Sequence, residues 1–509
     1  MLVFPELVLG GKIANRDFLH LYGPGSLWAL AGAFRVFGTH LVTERAFGLV
    51  QQLAIIGGLY ALARHWGRTL AVGSAVTAAL VIMPFGLTAL AWVGGVGLAV
   101  VGLAVAVSAR SLADDRRAGR RALAAGLLLG LAVLFRLDLI IAVTLAGGSL
   151  AWDLPRTRRR HLIAGVALGG APYVVHLATA GIGAAVEGMV FEPVFRLRPG
   201  RSLPVPPSWG NLDGFLQRAG ALQQLDWPLP APIDSQQLFL WFFALLGLVA
   251  FTLAVAVVAV RADRHGVRAR TLLAVALLSA GMLPQALQRV DSAHLAWVGC
   301  VPIGFLPVAG YEALRRLRPR TAPRVAALTA TGAALLLLVG LVPAYTVTRY
   351  ADYSLQTFDR HRSSFVIERA GRRFYYGKQD RARAGQMVVD AAARIARPGQ
   401  TLVVGPADLR RTAYSDAYLY HLLPELEPGT RYIEMDPGVA DRADSGLDRE
   451  IAAADLVILS AIWDDWSEPN ASVNRGSDRS ARVLARDFCR VGTYLGLYEL
   501  YRKCPTANG

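Results

Sequence analysis

The chain has 509 residues, 54% of them hydrophobic and 18% charged, with a formal net charge of +16. Its apolar residues fall in long blocks, and a mean hydropathy of +0.39 makes it a polytopic membrane protein rather than a soluble one. The positive charge does not imply nucleic acid as a partner, because the arginines cluster in short loops between apolar blocks, where the positive-inside bias accounts for them.

In chain order, the first feature is the polar, turn-rich stretch Asn15-Arg16-Asp17-Phe18-Leu19-His20-Leu21-Tyr22-Gly23-Pro24-Gly25. The apolar run Ser26 to Phe37 is only about a dozen residues long, which favours an interfacial helix lying along the membrane. Glu44-Arg45 then opens the first of ten candidate spans: 43 to 62, 70 to 86, 90 to 108, 121 to 135, 137 to 152, 161 to 179, 237 to 260, 271 to 287, 293 to 311 and 324 to 346. The fourth and fifth are short and part at Arg136-Leu137-Asp138, so a helical hairpin or one tilted element is an alternative there. Between the sixth and seventh lies a Pro-rich segment, 180 to 236, too long for a mere connector. It carries Glu187, Glu192, Arg196, Arg198 and Arg201 near its start and Trp209 and Trp227 further on. It is either a ligand-contacting loop or an ordered cap.

The short loops on one side hold Arg64, Arg68, Arg110, Arg116, Arg117, Arg120, Arg121, Arg156, Arg158, Arg159, Arg160, Arg261, Arg264, Arg268, Arg270, Arg315, Arg316, Arg318, Arg320 and Arg324, against only Arg136 and Arg289 on the other. The first set is therefore expected in the cytoplasm, with the N-terminal loop, the 180 to 236 segment and the C-terminal region outside. Met1 to Leu9 is too short to carry the N-terminal loop across, so a transmembrane helix is expected upstream of Met1.

From about residue 350 the pattern changes to strands alternating with helices. Helices are expected at Arg381 to Ala396, Ser415 to Leu423 and Leu447 to Ala453, and strands at Thr401 to Gly405, Tyr432-Ile433 and Leu456 to Leu459, before a last helix and a strand ending at Tyr501. This reads as an α/β sheet domain of about 160 residues, large enough to fold by itself. The fold class is thus a polytopic α-helical membrane protein with a C-terminal α/β domain, divided as 1–42, 43–349 and 350–509. Cys300 is expected in the core of a span, whereas Cys489 and Cys504 are able to pair if the domain faces an oxidising compartment. Gly405-Pro406-Ala407-Asp408, after the first strand, is a weak ligand-site signal. Trp463, Trp466, Tyr414, Tyr418 and Tyr420 suit either sugar stacking or a core. Glu434-Met435-Asp436-Pro437-Gly438 and Trp466-Ser467-Glu468-Pro469-Asn470 read as ordered acidic turns without assigned chemistry.

Three charged clusters fall at the same expected ends of spans: Arg16, Asp17, His20 and Tyr22; Arg136 with Asp138; and Arg289, Asp291 and His294. Ionisable groups at membrane depth are costly and mark a functional cavity or a paired structural site. All three are expected to meet around one pocket. Arg289 and His294 suit a phosphate, with Asp291 fixing their geometry. Arg136 and Asp138 are either substrate contacts or a structural ion pair. Asp17 is either a functional acid or the anchor of an Asx-type turn or helix cap before the interfacial helix.

Gly11-Lys12-Ile13-Ala14-Asn15-Arg16-Asp17-Phe18 with Tyr22-Gly23-Pro24, then Phe37-Gly38, Glu44-Arg45 and Ala63-Arg64, resembles the first outer loop and following helix of the GT-C glycosyltransferases. The resemblance covers most of the chain in architecture. It implies a polyprenyl-phosphate sugar donor, transfer outside the cell membrane to a glycan, lipid or protein acceptor, and Asp17 as the acceptor-activating acid, with Mg or Mn bound there if a divalent metal takes part. Many relatives carry an acidic pair just after their first span, and here that segment is missing or reduced to Glu6: either the catalytic acid lies upstream of Met1, leaving Asp17 as a secondary residue, or Asp17 itself serves, with Glu6 as a second catalytic candidate. The charged clusters and the 180 to 236 segment supply the substrate-binding candidates His20, Tyr22, Arg136, Asp138, Arg196, Arg198, Arg289, Asp291 and His294. The competing readings are a non-catalytic protein that binds lipid-linked sugar or scaffolds the envelope, and a transporter, against which the lack of an internal repeat of spans counts.

Overall fold

The computed structural model describes residues 2–82, 86–221, 233–341, 355 and 364–505. Trp227, and the expected boundary between residues 349 and 350, lie outside the described residues. The N-terminal segment forms α1 (Val3–Leu9) and α2 (Pro24–Phe37), the helix expected along the membrane. The first half of the membrane body is α3 (Leu41–Ala63), α4 (Arg68–Ile82), α5 (Ala91–Arg110), α6 (Asp115–Phe135), α7 (Ile140–Ala151), α8 (Arg156–Gly170) and α9 (Pro172–Ala180). The long connector folds as α10 (Ile182–Val186), a π-helix over Glu187–Arg196, α11 (Arg198–Arg201) and α12 (Phe215–Ala221). The second half is α13 (Asp234–Ala262), α14 (Val267–Gln288), α15 (Ser292–Gly304), α16 (Leu306–Leu317) and α17 (Pro323–Leu341).

Each of the ten expected spans has a helical counterpart. Six are long and apolar enough to cross a bilayer, counting α8 with α9 as one, and α15 with α16 makes a seventh bent by 42°. The stretches Arg68–Ile82, Leu137–Ala151 and Pro323–Leu338 are apolar but shorter. Where the sequence left a hairpin or a tilted element open, α6 stops at Phe135, Arg136 turns extended at φ −143°, and a 3₁₀ turn over Leu137–Leu139 leads into α7.

Apolar attraction between helices is weak in lipid, so close packing of small residues joins them. The seam between α6 and α8 shows this. A Cβ on Gly126 would collide with the carbonyl oxygen of Leu162, and one on Gly165 with that of Leu123; Gly130 and Gly169 repeat the arrangement one turn on.

The C-terminal domain begins with an antiparallel hairpin, β1 (Phe365–Arg369) and β2 (Arg372–Tyr376), followed by α18 (Gln379–Ile395). Its five-stranded sheet uses β3 (Thr401–Pro406), β4 (Glu427–Pro428), β5 (Leu456–Ser460), β6 (Phe488–Tyr494) and β7 (Tyr498–Lys503) in the order β4-β3-β5-β7-β6. β3 runs parallel to β4 and β5, and β7 antiparallel to β5 and β6. Alternation sorts the side chains. Leu402, Val404, Leu456 and Ile458 pack under α18 and α19 (Tyr418–Leu422), while Val403, Val457 and Leu459 pack on the other face against α20 (Leu447–Ala453) and α21 (Arg479–Asp487). Tyr432-Ile433 is not a strand. The two residues sit in a turn, where their side chains enter different core clusters, so their strand-like apolarity reports burial rather than pairing. Cys489 and Cys504 form a disulfide between β6 and the end of β7, with Cα atoms 5.0 Å apart, and Cys300 is a buried free thiol.

The N-terminal segment is wedged between this domain and the helices. Val3, Phe4, Ala14, Phe18 and Leu27 share a core with α18 and α19, and the Leu19 N–H donates to the Arg431 carbonyl at 2.9 Å. Glu6 accepts from Arg372 at 2.8 Å and pairs with His421 Nδ1 at 2.6 Å, so this carboxylate fastens α1 to the sheet domain. His20 is buried against Phe4 and Tyr22.

Two measurements follow from this packing. Gly165→Leu is expected to lower the unfolding midpoint of detergent-solubilised protein by an amount equivalent to about 2 kcal/mol, whereas Gly170→Leu, whose Cβ meets nothing within 4 Å, leaves it unchanged. Burial pushes the His20 imidazole down to about 4, so between roughly pH 6.5 and 4 the unfolded chain takes up a proton that the folded one refuses. Stability is whole above that window and falls by about 3 kcal/mol across it. Thermal unfolding at stepped pH checks this, with His20→Gln removing that part of the slope.

Candidate functional site

Gly23 and Gly25 let the N-terminal loop lie directly on the end of α6, since a Cβ at either would strike Leu134 or Phe135. That approach sets Tyr22 beside Arg136. The Arg136 guanidinium carbon stands 4.4 Å from the Tyr22 ring centre and 5.3 Å from that of Trp92, a cation held between two aromatic rings. The 3₁₀ turn brings Asp138 back, and Arg136 donates to it twice, at 2.9 and 2.6 Å.

A second cation sits across from it. α14 ends at Gln288, Arg289 is extended, and Asp291 caps α15 by accepting the His294 N–H at 2.9 Å. The same carboxylate holds His294 Nδ1 at 2.9 Å, which leaves Nε2 as the free ring nitrogen. Arg289 Nε lies 3.6 Å from Asp291, beyond hydrogen-bond reach, and is a buried donor without an acceptor among the described residues, while its Nη2 donates to the Tyr414 hydroxyl at 3.4 Å. Arg201 binds Asp436, and its guanidinium carbon lies 5.8 Å from the Tyr414 ring centre. Tyr414 has φ +105°, a left-handed conformation costly for a bulky residue, held by its N–H on the Met435 carbonyl and by Ser415 N–H on that of Glu434.

These groups enclose a cavity of about 390 Å³. Tyr22, Arg136, Asp138, Arg198, Arg201, Arg289 and His294 give it a polar, mainly cationic side, and Leu21, Ile140, Met189, Val190, Val194 and Leu197 an apolar one. Arg198 makes no side-chain hydrogen bond among the described residues.

Of the residues expected to share one pocket, the structure brings together Tyr22, Arg136, Asp138, Arg198, Arg289 and His294, with Asp291 directly behind. His20 stands one layer back, its ring centre 5.7 Å from that of Tyr22. Arg196 is turned away, paired with Glu187 and with Glu192 at 2.9 Å. Glu6 is spent on the interdomain contact. Asp17, the expected acid, does not line the cavity. One of its oxygens accepts the Ile13 N–H at 2.7 Å and both engage Arg16, whose hydrogen bond holds the carboxyl below the usual range. The carboxylate closes a turn back onto Ile13, four residues earlier, instead of the forward Asx-type turn, and Asp17 carries the loop that delivers Tyr22.

Nor do these residues fit a divalent ion. No group of three or more His, Cys, Asp or Glu comes together among the described residues, and the carboxylate of Asp17 is committed to a guanidinium. Arg201 was missed as a cavity group, and Tyr414 as the residue that contacts Arg289 and Arg201 behind the lining. Arg201 reaches Asp436 because Gly200 packs tightly against Pro437, a contact between segments 235 residues apart for which the sequence gives no local signal. The two acidic turns prove to be docking points: Asp436 receives Arg201, and Glu468 accepts the Leu216 N–H at 2.9 Å.

No family model and no curated protein sequence matches the chain. Among solved structures, 100% of this chain aligns with 93% of ArnT from Cupriavidus metallidurans bound to undecaprenyl phosphate, at a TM-score of 0.53 and 14% identity. The apo state of that protein aligns with 98% of this chain over 91% of its own, at 0.48 and 14%. The Archaeoglobus fulgidus oligosaccharyltransferase in complex with Zn and sulfate aligns with 97% over 68%, at 0.40 and 11%. The full-length match at 0.53 speaks for architecture, and by it this chain has the fold of the GT-C membrane glycosyltransferases.

Proposed function

We propose that the chain is a membrane glycosyltransferase that takes a sugar from a polyprenyl-phosphate donor and passes it to an acceptor outside the cytoplasm. The observation that carries this reading is the charge left over in the cavity. Arg136 is balanced by Asp138 and Arg201 by Asp436, whereas Arg289 shares Asp291 with His294; Arg289 and Arg201 each keep a buried Nε–H without an acceptor among the described residues. A buried donor of this kind calls for an acceptor, and a phosphate supplies one with charge to match. The apolar side of the same cavity suits an isoprenoid chain. The fold is shared with a protein crystallised with undecaprenyl phosphate.

In this reading the acceptor hydroxyl attacks the anomeric carbon as its proton passes to Nε2 of His294, whose other nitrogen is fixed by Asp291. The new carbon–oxygen bond forms as the bond from the sugar to the phosphate oxygen breaks. The electron pair leaves on the polyprenyl phosphate, whose charge Arg289, Arg198 and Arg136 stabilise. Asp138 is a poorer base because both its oxygens are tied to Arg136. Asp17 and Glu6 act here as positioning residues. The excess of arginine in one set of short loops and the Cys489–Cys504 disulfide both favour an oxidising, non-cytoplasmic setting for the C-terminal domain.

Purified protein in lipid nanodiscs, supplied with a radiolabelled polyprenyl-phosphate sugar, tests this through release of the lipid phosphate. Arg289→Ala is expected to slow turnover by about 10²- to 10³-fold, and His294→Gln by about 10²- to 10⁴-fold with its thermal stability retained. Asp17→Asn, which keeps an oxygen for the Ile13 N–H, should cost about fivefold or less, chiefly in KM. Full turnover in His294→Gln alongside none in Asp17→Asn would transfer the base to Asp17. Binding of the donor with no turnover in the unaltered protein would sink the enzymatic reading.

A further inference from the structure

The C-terminal domain has a second cavity, of about 750 Å³, within the range of about 300–1,000 Å³ usual for ligand sites. Its place in the sheet is informative. From β3 the chain passes to β4 on one side and then to β5 on the other, so β3 and β5 flank a reversal of strand order. The two are parallel, and the cavity opens beyond their carboxyl ends, after Pro406 and Ser460. In open α/β sheets this crevice is where ligands bind.

Its lining selects the ligand. Asp408 accepts from Arg410 at 2.8 and 3.1 Å and lies 3.5 Å from Arg475, and Arg411 donates to the Trp466 and Ser472 carbonyls. Arg410 and Arg411 thus already have acceptors, Arg475 has an ion-pair partner, and Asp464 adds a further carboxylate at the rim. Such a surface offers fixed donors and acceptors side by side, with three arginines set against two aspartates and a single positive charge in excess. Sugar hydroxyls, each a donor and an acceptor, match it. Trp463 and Tyr501 supply aromatic surface for the apolar face of a ring.

We propose that this crevice binds a neutral saccharide. The same site lies one aromatic layer from the membrane cavity. The Trp463 ring centre is 5.6 Å from that of Tyr414, whose hydroxyl receives Arg289. A glycan seated at the β3–β5 crevice thus extends toward the place where the donor phosphate is held. Calling that glycan the acceptor rests on the proposed transfer, but the binding itself does not.

Saturation-transfer NMR on the full chain in nanodiscs, with no donor present, tests the site using mannotetraose, maltotetraose, cellotetraose and galactotetraose, and tetragalacturonate as an anionic comparator. Transfer to ring protons of at least one neutral tetrasaccharide is expected, weakened about fivefold or more in Trp463→Ala and similarly in the surface variant Asp464→Asn/Arg475→Ala, which leaves the core intact. No transfer to any neutral member, a preference for tetragalacturonate, or undiminished transfer in the surface variant would overturn the proposal. Turnover assays on the same variants keep the outcomes separate: loss of donor turnover in Arg289→Ala with saccharide binding retained concerns the membrane cavity alone.

Discussion

A guanidinium taken out of water needs more than one neighbour, and the architecture around Arg289 is organised by that requirement. Its nearest carboxylate, Asp291, is already engaged as the cap of α15 and as the clamp on His294. A further hydrogen bond goes to Tyr414, a residue of another domain. The cation is thus held where two layers meet, by groups that neither layer supplies alone. Removing either carboxylate or hydroxyl would leave a charge whose burial costs several kcal/mol, which explains why the loop, the membrane helices and the sheet domain fit together so specifically at this point.

That fit combines apolar packing with directional polar contacts. Besides Arg289 and Tyr414, the layers are joined by Glu6 with Arg372 and His421, Arg201 with Asp436, Arg442 with Glu192 at 3.1 Å, and Asn470 with the Ser202 carbonyl at 2.8 Å. The π-helix over Glu187–Arg196 presents Glu192 to both Arg196 and Arg442, so the connector is fastened along its length to the sheet domain. Such directional contacts fix orientation, which a cavity built from three separate stretches of chain requires.

The helices, the sheet domain and half of the cavity were legible in the sequence because each has a local signal. Apolar length announces a span, and a charge beside it, as in Arg136-Leu137-Asp138 or Arg289 to His294, announces a site. Tyr22 was legible through the Gly-Pro-Gly that follows it. What escaped depends on long-range geometry. Asp17 looks like a free acid until the fold shows Arg16 and the Ile13 N–H consuming it, and Tyr432-Ile433 look like a strand until their side chains are seen parting into different cores. Arg201 and Tyr414 carry no pattern that separates them from other loop residues. The glycines of α6 and α8 sit four apart in each helix, a spacing that could have been read as a helix-contact signal.

The left-handed backbone of Tyr414 has a broader meaning. A glycine at that place would relax the main chain, yet it would also remove the ring that packs on Trp463 and Trp466 and the hydroxyl that receives Arg289. Backbone comfort and side-chain contact therefore pull in opposite directions at one position. The strained residue is kept in place by what it touches, so the awkward main chain is offset by the groups on either side of it.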